Sequence, residues 1–342
     1  MHRILVVGPS WIGDTVLAQP LFKLLHVRYG PLALDVLTPR WTLAIVERMP
    51  EVRRAIANPI GHGELRMAAQ RQIARDLSYE RYERAIVLPN SLKSALVPWL
   101  TRIPVRTGYL GELRWGLLND VRRVDEERQP QLAQRYAALA LPRGDPLQAA
   151  LPAPALRVDE TQRRATLAKL GIDNGRRAAA LCPGAEYGPA KRWPARYFAD
   201  LAQRLAGAGY AVWVVGSASD AEIGAEIARL SPAQDLCGRT SLGEAIEVLA
   251  SARLVVSNDS GLMHVAAALG KPLIALYGSS SPAYTPPLSP GARILKLDLP
   301  CSPCFQRVCP LGHFKCMVEL TPEHVLAAIE SADAVAAANS RL

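Results

Sequence analysis

The sequence predicts an α/β fold of two Rossmann-like domains whose mostly parallel sheets face a central cleft. Short, continuously apolar runs alternate with helix-period segments through both halves of the chain, as expected of parallel strands covered by helices on both faces. A Pro-rich passage (Pro142, Pro146, Pro152, Pro154) interrupts the alternation near the middle, after which it restarts. The 342 residues suffice for two domains of ordinary size, expected at 1–155 and 156–342.

In the first half, residues 4–7, 34–37 and 85–88 are apolar but for Asp35, and read as buried strands. Residues 15–29, 42–49 and 65–77 carry apolar residues at helical spacing. In the second half the strands are 178–182, 211–215, 254–257 and 273–277, with helices at 195–207, 220–230 and 242–251 between them. An amphipathic helix at 322–338 closes the chain. No fixed-period repeat or low-complexity tract is visible.

No apolar run approaches the roughly 20 residues of a membrane span. The opening residues reach Gly8-Pro9 too early for a signal peptide, so the chain is expected in the cytoplasm. The net charge of +9 is uneven: residues 1–155 hold 21 Lys+Arg against 14 Asp+Glu, the remainder 19 against 17. A basic first half suits a large anionic partner. Its cations are scattered and mostly Arg, with few aromatics between them, which disfavours nucleic acid.

Three segments carry candidate chemistry, each at the carboxyl end of a strand, where open α/β sheets bind ligands. Gly8-Pro9-Ser10-Trp11-Ile12-Gly13-Asp14 leads from the first strand into a helix. It lacks the Gly-x-Gly-x-x-Gly spacing of dinucleotide sites, and Asp35 stands at the beginning, not the end, of the second strand, which disfavours a dehydrogenase. Asp14 is either an N-cap carboxylate or a general base for an acceptor hydroxyl. Cys182–Pro194 follows the first strand of the second half; two Gly and three Pro among thirteen residues point to a loop of one shape. It presents Lys191 and Arg192, which suit phosphate. Ser257-Asn258-Asp259-Ser260-Gly261 opens a helix whose N–H groups and dipole favour a phosphate or diphosphate. His264, four residues beyond Ser260, shares its helix face. The plain alternatives are a capping role for Asp259 or Ser260 and a core histidine at 264.

These segments together resemble the bacterial lipopolysaccharide heptosyltransferases. Leu88-Pro89-Asn90-Ser91-Leu92-Lys93-Ser94-Ala95, Arg106-Thr107-Gly108-Tyr109 and Leu117-Leu118-Asn119-Asp120 add to the likeness, which runs from the first strand to about Tyr284. The resemblance implies a GT-B glycosyltransferase, with the acceptor on the N-terminal domain and the nucleotide sugar on the C-terminal one. It implies inverting transfer of heptose from ADP-L-glycero-β-D-manno-heptose to the first heptose of the inner core; the enzyme adding the first heptose is the alternative. A non-catalytic nucleotide-sugar or glycolipid-binding module is the rival from another class. By the same resemblance Asp14 is the catalytic base, and Lys191, Asp259, Ser260, Gly261 and His264 contact the donor. Asn90, Lys93 and Arg106 fall to the acceptor, an anionic heptosyl-Kdo2-lipid A. No catalytic metal is implied. A monomer is expected, peripheral to the inner face of the cytoplasmic membrane.

Six cysteines in a cytosolic chain should be reduced. Cys301, Cys304, Cys309 and Cys316, with His313 among them, allow a structural zinc. Neither gap around Cys309 has a common finger spacing, so reduced thiols are the favoured reading.

Overall fold

The computed structural model describes residues 1–339 other than 62, 148, 149 and 174, without the side chains of 332–339. The chain divides into two compact units, Met1–Arg157 and Val158–Leu342.

The first unit holds β1 (His2–Val7), β2 (Leu32–Pro39), β3 (Arg54–Asn58), β4 (Arg84–Val87), β5 (Val105–Tyr109) and β6 (Asp120–Arg122). They form one parallel sheet in the order β3-β2-β1-β4-β5-β6. The second unit holds β7 (Ala178–Cys182), β8 (Ala211–Val214), β9 (Gln234–Asp235), β10 (Leu254–Asn258), β11 (Leu273–Leu276) and β12 (Ala292–Leu295). Its parallel order is β12-β11-β10-β7-β8-β9, which read from β9 repeats the first. Strand order therefore reverses between β1 and β4, and again between β7 and β10. At such a switch point the loops splay to opposite faces and leave a crevice at the carboxyl ends.

The central strands form because apolar residues dominate them and both faces are covered. All eight residues of β2 and all five of β10 are buried, and Ile4, Leu5 and Val6 are at most 1% exposed. Every strand expected from the sequence is present within about two residues at either end, the usual looseness of boundaries. The five unexpected strands, β3, β5, β6, β9 and β12, lie toward the sheet edges. Their residues are largely half-buried and interrupted by charges, so they lack an unbroken apolar run.

The helix expected at 15–29 is two, Ile12–Leu17 and Gln19–Tyr29, with Pro20 in the first turn of the second. Proline has no N–H to continue the ladder and fits only a helix start. The helix expected at 42–49 is a 3-10 turn, Arg40–Thr42, followed by Leu43–Val46. The closing helix, Pro322–Asn339, sends Val325 and Ile329 into the second unit's core with Trp193 and Phe198. Its amphipathy beyond residue 331 lies outside the described side chains.

Candidate active site

In the second unit the sequence-predicted donor residues gather at the β7/β10 switch point. Lys191 ends the 3-10 turn Pro189–Lys191 beyond β7, and Asp259 follows β10 directly. The Lys191 Nζ donates to Asp259 Oδ2 at 2.6 Å, and Ser280 Oγ, beyond β11, donates to the same oxygen at 2.5 Å. Asp259 is 95% buried and the Lys191 side chain is only 16% exposed. An ammonium has three donors, and the carboxylate engages this one from one side. Lys191 also stands 5.0 Å over the Tyr187 ring, a cation–π contact.

Neither residue weighed as a cap performs that role. Asp259 is committed to Lys191 and Ser280. Ser260 occupies the N-cap of the helix Gly261–Ala268 without a side-chain cap bond, and its hydroxyl lies 3.2 Å from Ser257 Oγ. The first-turn N–H groups are thus not satisfied by a cap, which suits them to an anion. His264 is 4% exposed; burial holds its pKa down to about 4, and its Nδ1 has no hydrogen-bond partner among the described residues. It is a neutral imidazole near enough to Asp259 and Lys191 to feel both charges.

Asn258 closes the crevice floor. Its Oδ1 accepts from Trp193 N at 3.1 Å and its Nδ2 donates to Pro183 O at 2.7 Å, tying the β7 loop to the end of β10. Arg192 turns away to Asp220, 3.7 Å distant. Ser280 and Asn258 were not singled out from the sequence. The signal for Ser280 was the run Gly278-Ser279-Ser280-Ser281 directly beyond an apolar strand, the pattern that flagged 257–261.

In the first unit Asp14 is half-buried in the first turn of the helix Ile12–Leu17, whose N-cap is Trp11. It is therefore within the helix, not its cap. The loop that delivers it is tied down by Trp41 Nε1 donating to Ser10 O at 2.8 Å. Asn90 and Lys93 follow β4, across the β1/β4 switch point from Asp14. Asn90 is exposed and accepts from Arg114 at 3.2 Å, while Lys93 Nζ donates to Gly61 O at 2.5 Å.

The structure does not bring Arg106 to this edge. It pairs with Ala85 near the amino ends of β4 and β5, and its guanidinium donates to Leu117 O and Ile103 O, each at 2.6 Å. Asp35 is fully buried within β2, held by Arg53 at 2.8 Å and Tyr82 at 2.5 Å.

The cysteine-rich segment braces the Lys191 loop. Tyr187 Oη donates to Phe305 O at 2.6 Å, and Ala190 N to Arg307 O at 3.0 Å. Gly188, at φ 153°, lies where an added Cβ would stand 2.5 Å from Arg307 O, so only glycine permits the approach. On the other side Phe305 N donates to Ser279 O and Ser302 Oγ to Gly278 O, both at 2.7 Å. All six cysteines are free thiols. The N–H of Phe314, followed by those of Leu311, Gly312 and His313, lowers the Cys309 pKa. Burial, then the neighbouring thiols, raises that of Cys316. Among the described residues no group of three or more His, Cys, Asp or Glu is placed to hold a metal ion.

Two Rossmann-like parallel sheets, each with its strand order reversing at a central switch point, are the architecture of the GT-B glycosyltransferases. The chain belongs to glycosyltransferase family 9, the heptosyltransferases, whose family model matches residues 70–315. It is 45% identical over 335 residues to lipopolysaccharide heptosyltransferase 2 of Escherichia coli K12, covering 95% of this chain and 96% of that one. It is 43% identical to the protein of the same name from Salmonella typhimurium, covering 96% and 98%. The solved structure of E. coli ADP-heptose lipopolysaccharide heptosyltransferase II superposes with a TM-score of 0.86 at 42% identity, over 96% of this chain and 98% of that one. The family and fold expected from the motifs are thus confirmed.

Proposed function

We propose that the chain transfers heptose from ADP-L-glycero-β-D-manno-heptose to the first heptose of the lipopolysaccharide inner core, with inversion at the anomeric carbon. The observation that carries this reading is the Lys191–Asp259–Ser280 group beside an uncapped helix terminus at a switch point. That combination suits a diphosphate leaving group. An ammonium held in place and a row of backbone N–H groups need no reorganisation as negative charge grows on the departing ADP.

Inversion requires a single in-line displacement. Asp14 takes the proton from the acceptor hydroxyl, whose oxygen attacks the anomeric carbon as the bond to the diphosphate breaks. Asn90 and Lys93, across the crevice from Asp14, hold the acceptor. Protein groups carry the leaving charge, so this reading needs no catalytic metal. Asp259 acts by holding Lys191 and Ser280 in place, and His264 is buried and neutral near that pair.

The acceptor in this reading is a lipid-anchored, anionic glycolipid, which places the work of the chain at the inner face of the cytoplasmic membrane. No helix among the described residues is long and apolar enough to cross a membrane, and the basic first unit suits a peripheral contact. The test is transfer from ADP-heptose to defined core acceptors carrying no heptose or one. Transfer only to the heptose-bearing acceptor is the expected result. Transfer to the heptose-free acceptor makes the chain the first-heptose enzyme, and ADP-heptose binding without transfer makes it a binding module.

A further inference from the structure

We propose that the turn between β5 and β6 is a rigid apolar wedge that docks the first unit on an anionic bilayer surface. This rests on reading the acceptor as a membrane glycolipid. Leu113 is 82% and Trp115 66% exposed, while Arg114 between them is 2% exposed. The Arg114 guanidinium donates to Pro89 O at 2.5 Å, Asn90 Oδ1 at 3.2 Å, Ser94 Oγ at 3.4 Å and the carbonyl of Tyr109. The turn is fastened again beside it: Glu112 N donates to Asn90 O at 3.2 Å and Glu112 Oε2 accepts from Leu92 N at 2.9 Å. Gly111 meets Asn90 so closely that an added Cβ would lie 2.4 Å from its carbonyl oxygen.

Burying an arginine among two carbonyls and two side chains while a leucine and a tryptophan stand in water gains the fold no burial of those two apolar side chains. It makes sense where those side chains enter an apolar phase, because a turn already ordered loses little entropy on docking. Tryptophan favours the membrane–water interface, and leucine the acyl boundary.

Charge selects the lipid. Arg123, exposed directly beyond β6, and Arg40, exposed directly beyond β2, stand at the same carboxyl edge, in the unit with the larger basic surplus. Each such cation near an anionic surface adds about 1 kcal/mol of attraction. Of the acidic groups nearby, Glu112 is engaged by Leu92 N, Asp125 by Arg128, and Glu126 by Arg135, while Glu127 is exposed and offsets one of these cations.

The test is co-sedimentation of the full chain with phosphatidylglycerol/phosphatidylethanolamine vesicles, alongside heptose transfer to a water-soluble, acyl-free acceptor. Leu113→Ser/Trp115→Ala is expected to lower vesicle partitioning by about ten-fold or more, from the apolar area it removes, and to leave transfer to the soluble acceptor unchanged. Trp115→Phe should retain most of the partitioning, and phosphatidylcholine vesicles should bind the unaltered chain more weakly. Both altered side chains are exposed, so folding is not at risk. Partitioning equal to that of the unaltered chain overturns the proposal, as does equal binding to phosphatidylcholine. A matching loss of transfer to the soluble acceptor also overturns it, making the turn a sugar-binding element. If the unaltered chain transfers nothing to the soluble acceptor, the functional reading fails while the vesicle result still stands.

Discussion

The two units share one strand order but use tryptophan in opposite ways. The first leaves Trp11, Trp41, Trp99 and Trp115 between 45% and 66% exposed, whereas the second buries Trp193 and Trp213 to 0% and 3%. Charge divides similarly, with most of the basic surplus before residue 156. The carboxyl edges follow suit. In the second unit that edge is a buried polar group, Lys191, Asp259 and Ser280, joined by bonds of 2.5–2.6 Å, with Asn258 beside it bonded to Trp193 N and Pro183 O. In the first it is a rim of exposed aromatic and basic side chains with the half-buried Asp14 among them. Topology places both sites at a switch point, but the residues there decide the ligand. A preorganised polar crevice suits a small anion, and an open amphiphilic rim suits a large partner.

The contrast breaks most directly at the tryptophans. Trp193→Ala should cost about 3–5 kcal/mol of unfolding free energy, the usual range for emptying a core site of that size. Trp115→Ala should stay within about 0.5 kcal/mol. Chemical denaturation of both variants checks this, and similar losses would remove the distinction.

The buried polar network should also make the second unit sensitive to acid. His264 is neutral when folded because burial lowers its pKa from 6.5 to about 4. The unfolded chain therefore takes up a proton first as pH falls. Stability is complete above about pH 6.5 and declines toward pH 4, by about 3 kcal/mol in all. Denaturation midpoints of the second unit across that window should slope for the unaltered chain and flatten in His264→Gln.

The two edges should separate in kinetics. Asp14→Asn is expected to leave ADP-heptose affinity nearly intact while kcat falls by at least about 10²-fold, the scale of a lost general base. Turnover retained in that variant would end its catalytic role. Lys191→Ala should act on the other side, weakening ADP-heptose binding by roughly ten-fold or more through loss of a charged hydrogen bond. Calorimetry with the donor alone decides it, and unchanged affinity takes Lys191 out of the site.

Much of this was legible in the sequence because it is written locally. An apolar run such as 254–257 predicts a buried strand wherever it lies, and the Asp-Ser-Gly turn after it sits at a carboxyl edge by connectivity alone. The edge strands were not legible: β6 is Asp-Val-Arg and β9 only two residues, and each is a strand because of its neighbour. Arg106 stood in a recognisable motif, yet one strand carries its residues to opposite edges of a sheet.

From sequence alone followed the alternation of strand and helix, the two-unit division of the pattern, the family, and the place of three candidate loops at the carboxyl ends of strands. Periodicity, Gly/Pro punctuation and motif spacing act within a few residues. Tertiary structure alone decided the strand order that sets β1 beside β4 and β7 beside β10. It alone gave Asp259 to Lys191, 68 residues away, and to Ser280, instead of to a helix cap. It also turned Arg106 into a brace and left Leu113 and Trp115 in water. Such pairings rest on side chains distant in the chain that compete for the same donors, and packing settles that competition.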